Sequence, residues 1–129
     1  MAEPASKRIL VVDDARLIRN YYRAALEPDC YEIDEAMNGL EALEKLLMQP
    51  ADLLIVDINM PKMDGFTFLR RLRRGDAPNS SIPALLTSTE AKPSDMEAAR
   101  EAGANFYLVK PIAPEILRAH VTLMLGRPA

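Results

Sequence analysis

The chain is expected to fold as an α/β domain: an open parallel sheet with helices on both faces. Short aliphatic runs recur along its 129 residues, each too brief for a helix and rich enough in Val, Ile and Leu for a strand buried on both faces. Between these runs lie segments whose apolar residues recur at helical spacing. The two kinds of segment alternate from end to end. Parallel neighbours need right-handed crossover helices, so the alternation predicts five consecutive βα units.

The elements follow in order. "RILVVDD" at 8–14 supplies the first strand, and Leu17, Tyr21 and Ala25 give the next segment a helical face. "YEIDEA" at 31–36 alternates instead of running continuously apolar, which suits an edge strand. Asn38-Gly39 opens the second helix, whose apolar positions are Leu40, Leu43 and Leu47, and Pro50 follows its end. "DLLIVD" at 52–57 is the third strand, and Asp64 can cap a third helix reaching Arg74. "GDAPNSS" at 75–81 reads as a loop before the fourth strand, "IPALLTS" at 82–88. A fourth helix over about 94–101 ends near Gly103, which suits a left-handed helix terminus. "NFYLVK" at 105–110 is the fifth strand and 114–125 the fifth helix.

The length fits one domain able to bury roughly two-thirds of the surface its unfolded chain would expose. With 16 Lys and Arg against 19 Asp and Glu, the net charge of −3 gives no electrostatic case for nucleic acid or an anionic membrane. "RRLRR" at 70–74 is short and reads as the solvated side of a helix whose Leu72 points inward. No run of about 18 apolar residues and no signal-peptide pattern occurs, so membrane insertion is not expected and the cytoplasm is the expected compartment. Cys30 is the only cysteine, which excludes an intrachain disulfide or a C-x-x-C site, and it reads as a small residue at a strand start.

The chemistry gathers at the strand ends. In a parallel sheet all strands end at one edge, and ligands bind outside the carboxyl ends. The first strand ends in Asp13-Asp14, the third in Asp57, the fourth in Thr87-Ser88 and the fifth in Lys110. Each residue alone has a bland reading: a cap or turn for the acids, a strand residue for Thr87, a solvated charge for Lys110. Together they form the groups of one metal-phosphate site. Two carboxylates about 4 Å apart repel by about 4 kcal/mol at an effective dielectric near 20, so cations must gather there. Lys110 supplies one charge, and an oxygen-seeking divalent ion such as Mg²⁺ would supply two more.

In these residues the chain resembles the receiver domains of two-component response regulators, and the stand-alone chemotaxis type in particular. The resemblance spans about Lys7 to Gly126 and is carried by "ILVVDD", "NGLEAL", "LLIVDINMPKMDG", "ALLTS" and "GANFYLVKP". It implies the flavodoxin-like strand order 2-1-3-4-5. It also implies a receiver over 7–126, tails at 1–6 and 127–129, and no effector domain. By resemblance Asp57 is the phosphoryl acceptor, while Mg²⁺ sits among Asp13, Asp14, Asp57 and the backbone carbonyl of Asn59. Thr87 would donate its hydroxyl to the phosphoryl group, Lys110 would pair with it, and the Lys110-Pro111 bond would be cis.

The same resemblance makes Tyr107 a switch residue that turns inward when the Thr87 hydroxyl moves. Asn59 and Thr89 would tune rates. The implied donor is a histidine kinase or a His-phosphotransfer protein. The implied output is a target protein on the face made by the fourth helix, fifth strand and fifth helix, with the chain a monomer and a phosphoacceptor module instead of an enzyme. Chemotaxis ranks first among roles, followed by a relay shuttle or phosphate sink. A Mg²⁺-dependent phosphohydrolase shares the Asp nucleophile, Thr and Lys, but would want an acid where Asn59 stands. His120, at helical spacing among Ile116, Leu117 and Met124, reads as structural and not as a phosphohistidine.

Overall fold

The computed structural model describes residues 6–126. Apart from Ser6, the expected tails at 1–6 and 127–129 lie outside the described residues. The elements alternate as β1 (Arg8–Val12), α1 (Arg16–Leu26), β2 (Glu32–Ala36), α2 (Gly39–Met48), β3 (Leu53–Asp57), α3 (Gly65–Arg73), β4 (Ala84–Ser88), α4 (Pro93–Ala102), β5 (Phe106–Val109) and α5 (Pro114–Leu125). All neighbouring strands are parallel, in the order β2-β1-β3-β4-β5. The chain has the flavodoxin-like fold.

Two apolar layers sandwich the sheet. Successive strand residues point to opposite faces, so Leu10, Leu54 and Leu86 join Ala42, Phe68, Leu69 and Ala99 in the layer under α2, α3 and α4. Ile9, Ile55 and Leu85 join Tyr22, Leu26, Leu117 and Val121 in the layer under α1 and α5. Every residue of β3 and β4 is buried, as continuous apolar runs require. β2 sits at the edge as its alternation predicts, and its acids are paired. Arg8 reaches Glu32 at 3.2 Å and Asp34 at 2.5 Å, and Arg19 and Arg23 reach Glu35 at 2.8 and 2.7 Å. Burial would raise the pKa of Asp34 and Glu35. The Glu35 amide, Lys45 and Arg8 at Asp34, and Arg23 and Arg19 at Glu35, outweigh it and hold both below the usual carboxylate range.

The caps largely match the sequence. The Asn38 side chain accepts from the Glu41 amide and that of Asp64 from the Thr67 amide. Gly103 ends α4 at φ +100°. Four local expectations are corrected. Leu17 is 82% exposed and Tyr21 is 40% exposed, so α1 instead packs through Tyr22, Ala25 and Leu26. In α2, Leu47 is 84% exposed and Leu40 half-exposed, while Ala42 and Leu46 are buried. Cys30 does not start a strand: it is exposed at φ +60°, closing a 3-10 turn at Glu27–Asp29. In "RRLRR", Leu72 is buried as expected, but Arg73 is not simply solvated, because it donates to the carbonyls of Gly103 and Ser80. The 75–81 loop contains a 3-10 turn at Asn79–Ser81.

Candidate functional site

The carboxyl ends of β1, β3, β4 and β5 meet at one edge of the sheet. Asp57 is the last residue of β3 and lies in register with Thr87 of β4. Thr87 pairs in turn with Leu108 of β5, two residues before Lys110. Asp13 follows β1, its amide held by the Ala36 carbonyl at 3.1 Å. Two further bonds fix the start of α1 to this corner: the Ala15 amide donates to Asp13 Oδ1 at 2.9 Å, and Arg19 donates to the Asp13 carbonyl at 2.7 Å.

Lys110 joins the strand ends. Its Nζ lies 2.9 Å from Asp13 Oδ2 and 3.1 Å from Asp57 Oδ1. The Lys110 amide donates to the Ser88 carbonyl at 2.7 Å, and the Lys110-Pro111 peptide is cis, as the resemblance implies. Asp13, Asp14 and Asp57 each offer a carboxylate oxygen, all within 4.8 Å of one another. Asp13 and Asp57 are buried, whereas Asp14 is exposed.

One ammonium does not balance three carboxylates. Burial, followed by the charge of Asp13, pushes the Asp57 pKa up; Lys110 opposes this only in part, and Asp14 adds to it. Burial would also favour neutral Lys110, yet its bond to Asp13 and the charges of Asp57 and Asp13 hold its pKa above the ordinary value. The ammonium is therefore retained, and negative charge is left in excess. An all-oxygen donor set with surplus negative charge fits a hard divalent cation of the Mg²⁺ kind.

The remaining sequence candidates fall around this core. Thr87 is fully buried, but its hydroxyl faces the Val56 carbonyl at 3.5 Å, the long limit of a hydrogen bond. Asn59 lies exposed in the loop after β3, and Thr89 is exposed beyond β4. Tyr107 is half-buried in the layer that includes α4, and its hydroxyl donates to the Glu90 carbonyl at 2.6 Å. His120 stays outside the site: its Nδ1 is 2.8 Å from the Ile116 carbonyl and its ring packs edge-on against Phe106 at 5.2 Å. Two neighbours were missed by sequence reasoning, Arg19 and Tyr22. An i, i+4, i+7, i+8 reading of α1 from Ile18 would have turned Tyr22 inward.

The geometry accords with what known proteins show. A model of the response regulator receiver domain matches residues 9–122. The chain belongs to that family. Receiver domains of response regulators are phosphorylated on an aspartate in two-component signalling. The receiver is 38% identical over 119 residues to the sensor protein EvgS of Escherichia coli K12, covering 92% of this chain but 10% of that protein. It is 38% identical over 122 residues to the response regulator MprA of Mycobacterium ulcerans, covering 95% of this chain and 51% of MprA. The chain thus spans about a tenth and about half of these relatives' lengths. Among solved structures, the chemotaxis protein CheY4 of Vibrio cholerae superposes with a TM-score of 0.87 at 34% identity, covering 94% of this chain and 100% of that one. A response regulator from Chloroflexus aurantiacus gives 0.88 at 33% identity, covering 95% and 100%. Among the described residues, no helix of the receiver is long and apolar enough to cross a membrane.

Proposed function

We propose that Asp57 is the phosphoryl acceptor, with the donor a phosphohistidine on a histidine kinase or a His-phosphotransfer protein. The observation that carries this reading is the Asp57 carboxylate at the end of a fully buried strand, 3.1 Å from a retained ammonium and beside two further acids. An Asp57 oxygen attacks phosphorus; the O–P bond forms as the N–P bond breaks, and that electron pair returns to the imidazole. Lys110 is placed to pair with the developing negative charge, and Thr87 to donate its hydroxyl once it leaves the Val56 carbonyl. Asp13, Asp14, Asp57 and the backbone carbonyl of Asn59 would hold Mg²⁺. When bound, the ion neutralises charge on the phosphoryl oxygens. Asn59, two residues after the acceptor, and Thr89, two after Thr87, are both exposed and would tune the lifetime of the adduct.

Output is assigned to the α4–β5–α5 face of a cytoplasmic monomer. A cavity of about 330 Å³ between α4 and β5 is lined by residues including Met96, Arg100 and Tyr107. The Tyr107 hydroxyl already ties this face to the loop after β4 through Glu90. A shift of Thr87 can therefore bias a neighbouring packing by altering its population. Chemotaxis is the role we favour, supported by full-length similarity to a chemotaxis protein. Acetyl phosphate with Mg²⁺ should label Asp57 with an acid-stable, base-labile adduct and should leave Asp57→Asn unlabelled by mass spectrometry. Equal incorporation in that variant, or a label on His120, would defeat the assignment.

A further inference from the structure

Tyr22 has one of the largest fully buried side chains in the chain, 2% exposed in the layer between the sheet and α5. Its hydroxyl has no hydrogen-bond partner of ordinary geometry among the described residues. The group is not remote from polar atoms: it lies against Thr87 and within electrostatic reach of Lys110, Asp13 and Asp57. Burial pushes its pKa up to about 12, with Lys110 and then the Thr87 hydroxyl opposing, so the phenol keeps its proton and is a donor short of a well-placed acceptor. The Thr87 hydroxyl is equally underused: beside its contact with the Tyr22 oxygen, which falls outside hydrogen-bond geometry, it has the 3.5 Å contact to the Val56 carbonyl. Two adjacent buried hydroxyls are thus both left short of good partners. Buried polar groups in folded proteins are seldom left so.

We infer that Tyr22 is a positioning residue for Thr87: its O–H donates to Thr87 Oγ1 when the Thr87 proton turns to a phosphoryl group on Asp57. The polarity of the chain is fixed by the donors available. Thr87 Oγ has one proton and two lone pairs. Giving that proton to the phosphoryl oxygen leaves the lone pairs free to accept from Tyr22. Two buried hydroxyls that are poorly satisfied in the resting protein then become satisfied together. Tyr22 consequently favours the engaged Thr87 conformer at both ends of the equilibrium, by leaving the resting state short of a bond and supplying that bond in the engaged one. This inference rests on the phosphoacceptor reading of Asp57.

The test compares beryllofluoride affinity, in the presence of Mg²⁺, for the parent chain, Tyr22→Phe, Thr87→Ala and the double variant, with thermal denaturation of each in chelator. Removing one oxygen with Tyr22→Phe is expected to weaken beryllofluoride binding by about fivefold, the effect of one ordinary hydrogen bond. The resting fold should be at least as stable as the parent, because an unpaired hydroxyl has been removed. In the Thr87→Ala background the same substitution should leave affinity unchanged. Equal affinity of Tyr22→Phe and parent would overturn the inference. So would an undiminished loss without Thr87, or a destabilised Tyr22→Phe fold, since either would make the residue a packing element. Failure of the parent chain itself to bind beryllofluoride would overturn the phosphoacceptor reading, a result distinct from these.

Discussion

Gly65 is the position where a single added methyl group should disturb both the fold and the acceptor strand. It opens α3 immediately after the Asp64 cap, and its amide donates to the Ile58 carbonyl at 2.9 Å. A Cβ there would stand 2.6 Å from the Asp57 carbonyl oxygen, 3.0 Å from Ile58 Cα and 3.2 Å from the Asp57 carbonyl carbon. Optimal carbon contacts lie near 3.5–4.0 Å. All three neighbours are backbone, so no rotamer change relieves the overlap. The start of α3 must move back from β3, stretching the Ile58 bond and loosening Phe68 and Leu69, both fully buried.

Overpacking of this kind costs about 1–3 kcal/mol and a lost hydrogen bond about 1 kcal/mol, while the better helix propensity of Ala returns at most about 1 kcal/mol. Gly65→Ala is therefore expected to destabilise the chain by about 1–3 kcal/mol in urea denaturation. Gly75→Ala is the control, because its nearest neighbour, the Leu72 carbonyl oxygen, is 3.3 Å away. That variant should stay within about 0.5 kcal/mol of the parent. If the two variants were equally stable, the close approach of α3 to the end of β3 would not be a constraint on the fold.

Other substitutions read out the remaining forces. Leu26→Ala should cost about 2–5 kcal/mol whereas Leu17→Ala should change stability by less than about 0.5 kcal/mol, which checks by denaturation which side of α1 is packed. Arg73→Lys should lose about 1–3 kcal/mol, because a single ammonium cannot reproduce the forked bonds to Gly103 (2.8 and 3.1 Å) and Ser80 (3.2 Å). Asp57→Asn should stabilise the metal-free fold at neutral pH. Burial and the neighbouring Asp13 charge raise the Asp57 pKa above the ordinary 3.8, so folding takes up a proton in the window above 3.8 and stability falls as pH rises through it. The gain from Asn should thus be near zero below that window and full above it; urea denaturation across pH, in chelator, measures it, and a less stable variant at pH 7 would refute the sign.

The sheet was legible because continuous apolar runs have few alternatives, and the edge position of β2 because alternation marks a strand with one solvated side. The site was legible because parallel strands share a carboxyl edge, so Asp13, Asp14, Asp57 and Lys110 could be brought together without side-chain geometry. Helix phase was harder. Apolar residues run at 17–18 and 21–22 in α1 and at 46–48 in α2, and more than one 3.6-residue register fits such runs. Which register packs depends on the direction from which the sheet approaches. Arg73 was read as solvated and Tyr22 was missed for a related reason: each has partners distant in sequence, Gly103 and Thr87, that no local pattern connects.

The cost of the resting site bears on how it would switch. Asp57 is buried against another acid, and among the described residues the Thr87 hydroxyl has a long contact to the Val56 carbonyl and the Tyr22 hydroxyl has no partner of ordinary geometry. A ligand shifts a conformational equilibrium only by its differential affinity for the two states. That difference can come from new bonds in the engaged state or from relief of poor ones in the resting state. In the proposed reading, phosphorylation supplies both: it gives Thr87 a charged acceptor, frees Thr87 to accept from Tyr22, and sets Lys110 beside an anion that carries more charge than a carboxylate. Each term is of the order of one hydrogen bond, about 1 kcal/mol for neutral groups and up to about 3 kcal/mol for charged ones. Their sum lies within reach of the roughly 5.5 kcal/mol needed to carry a two-state element from one part in a hundred to ninety-nine. Losing any one term should then leave a partial switch, not a dead one.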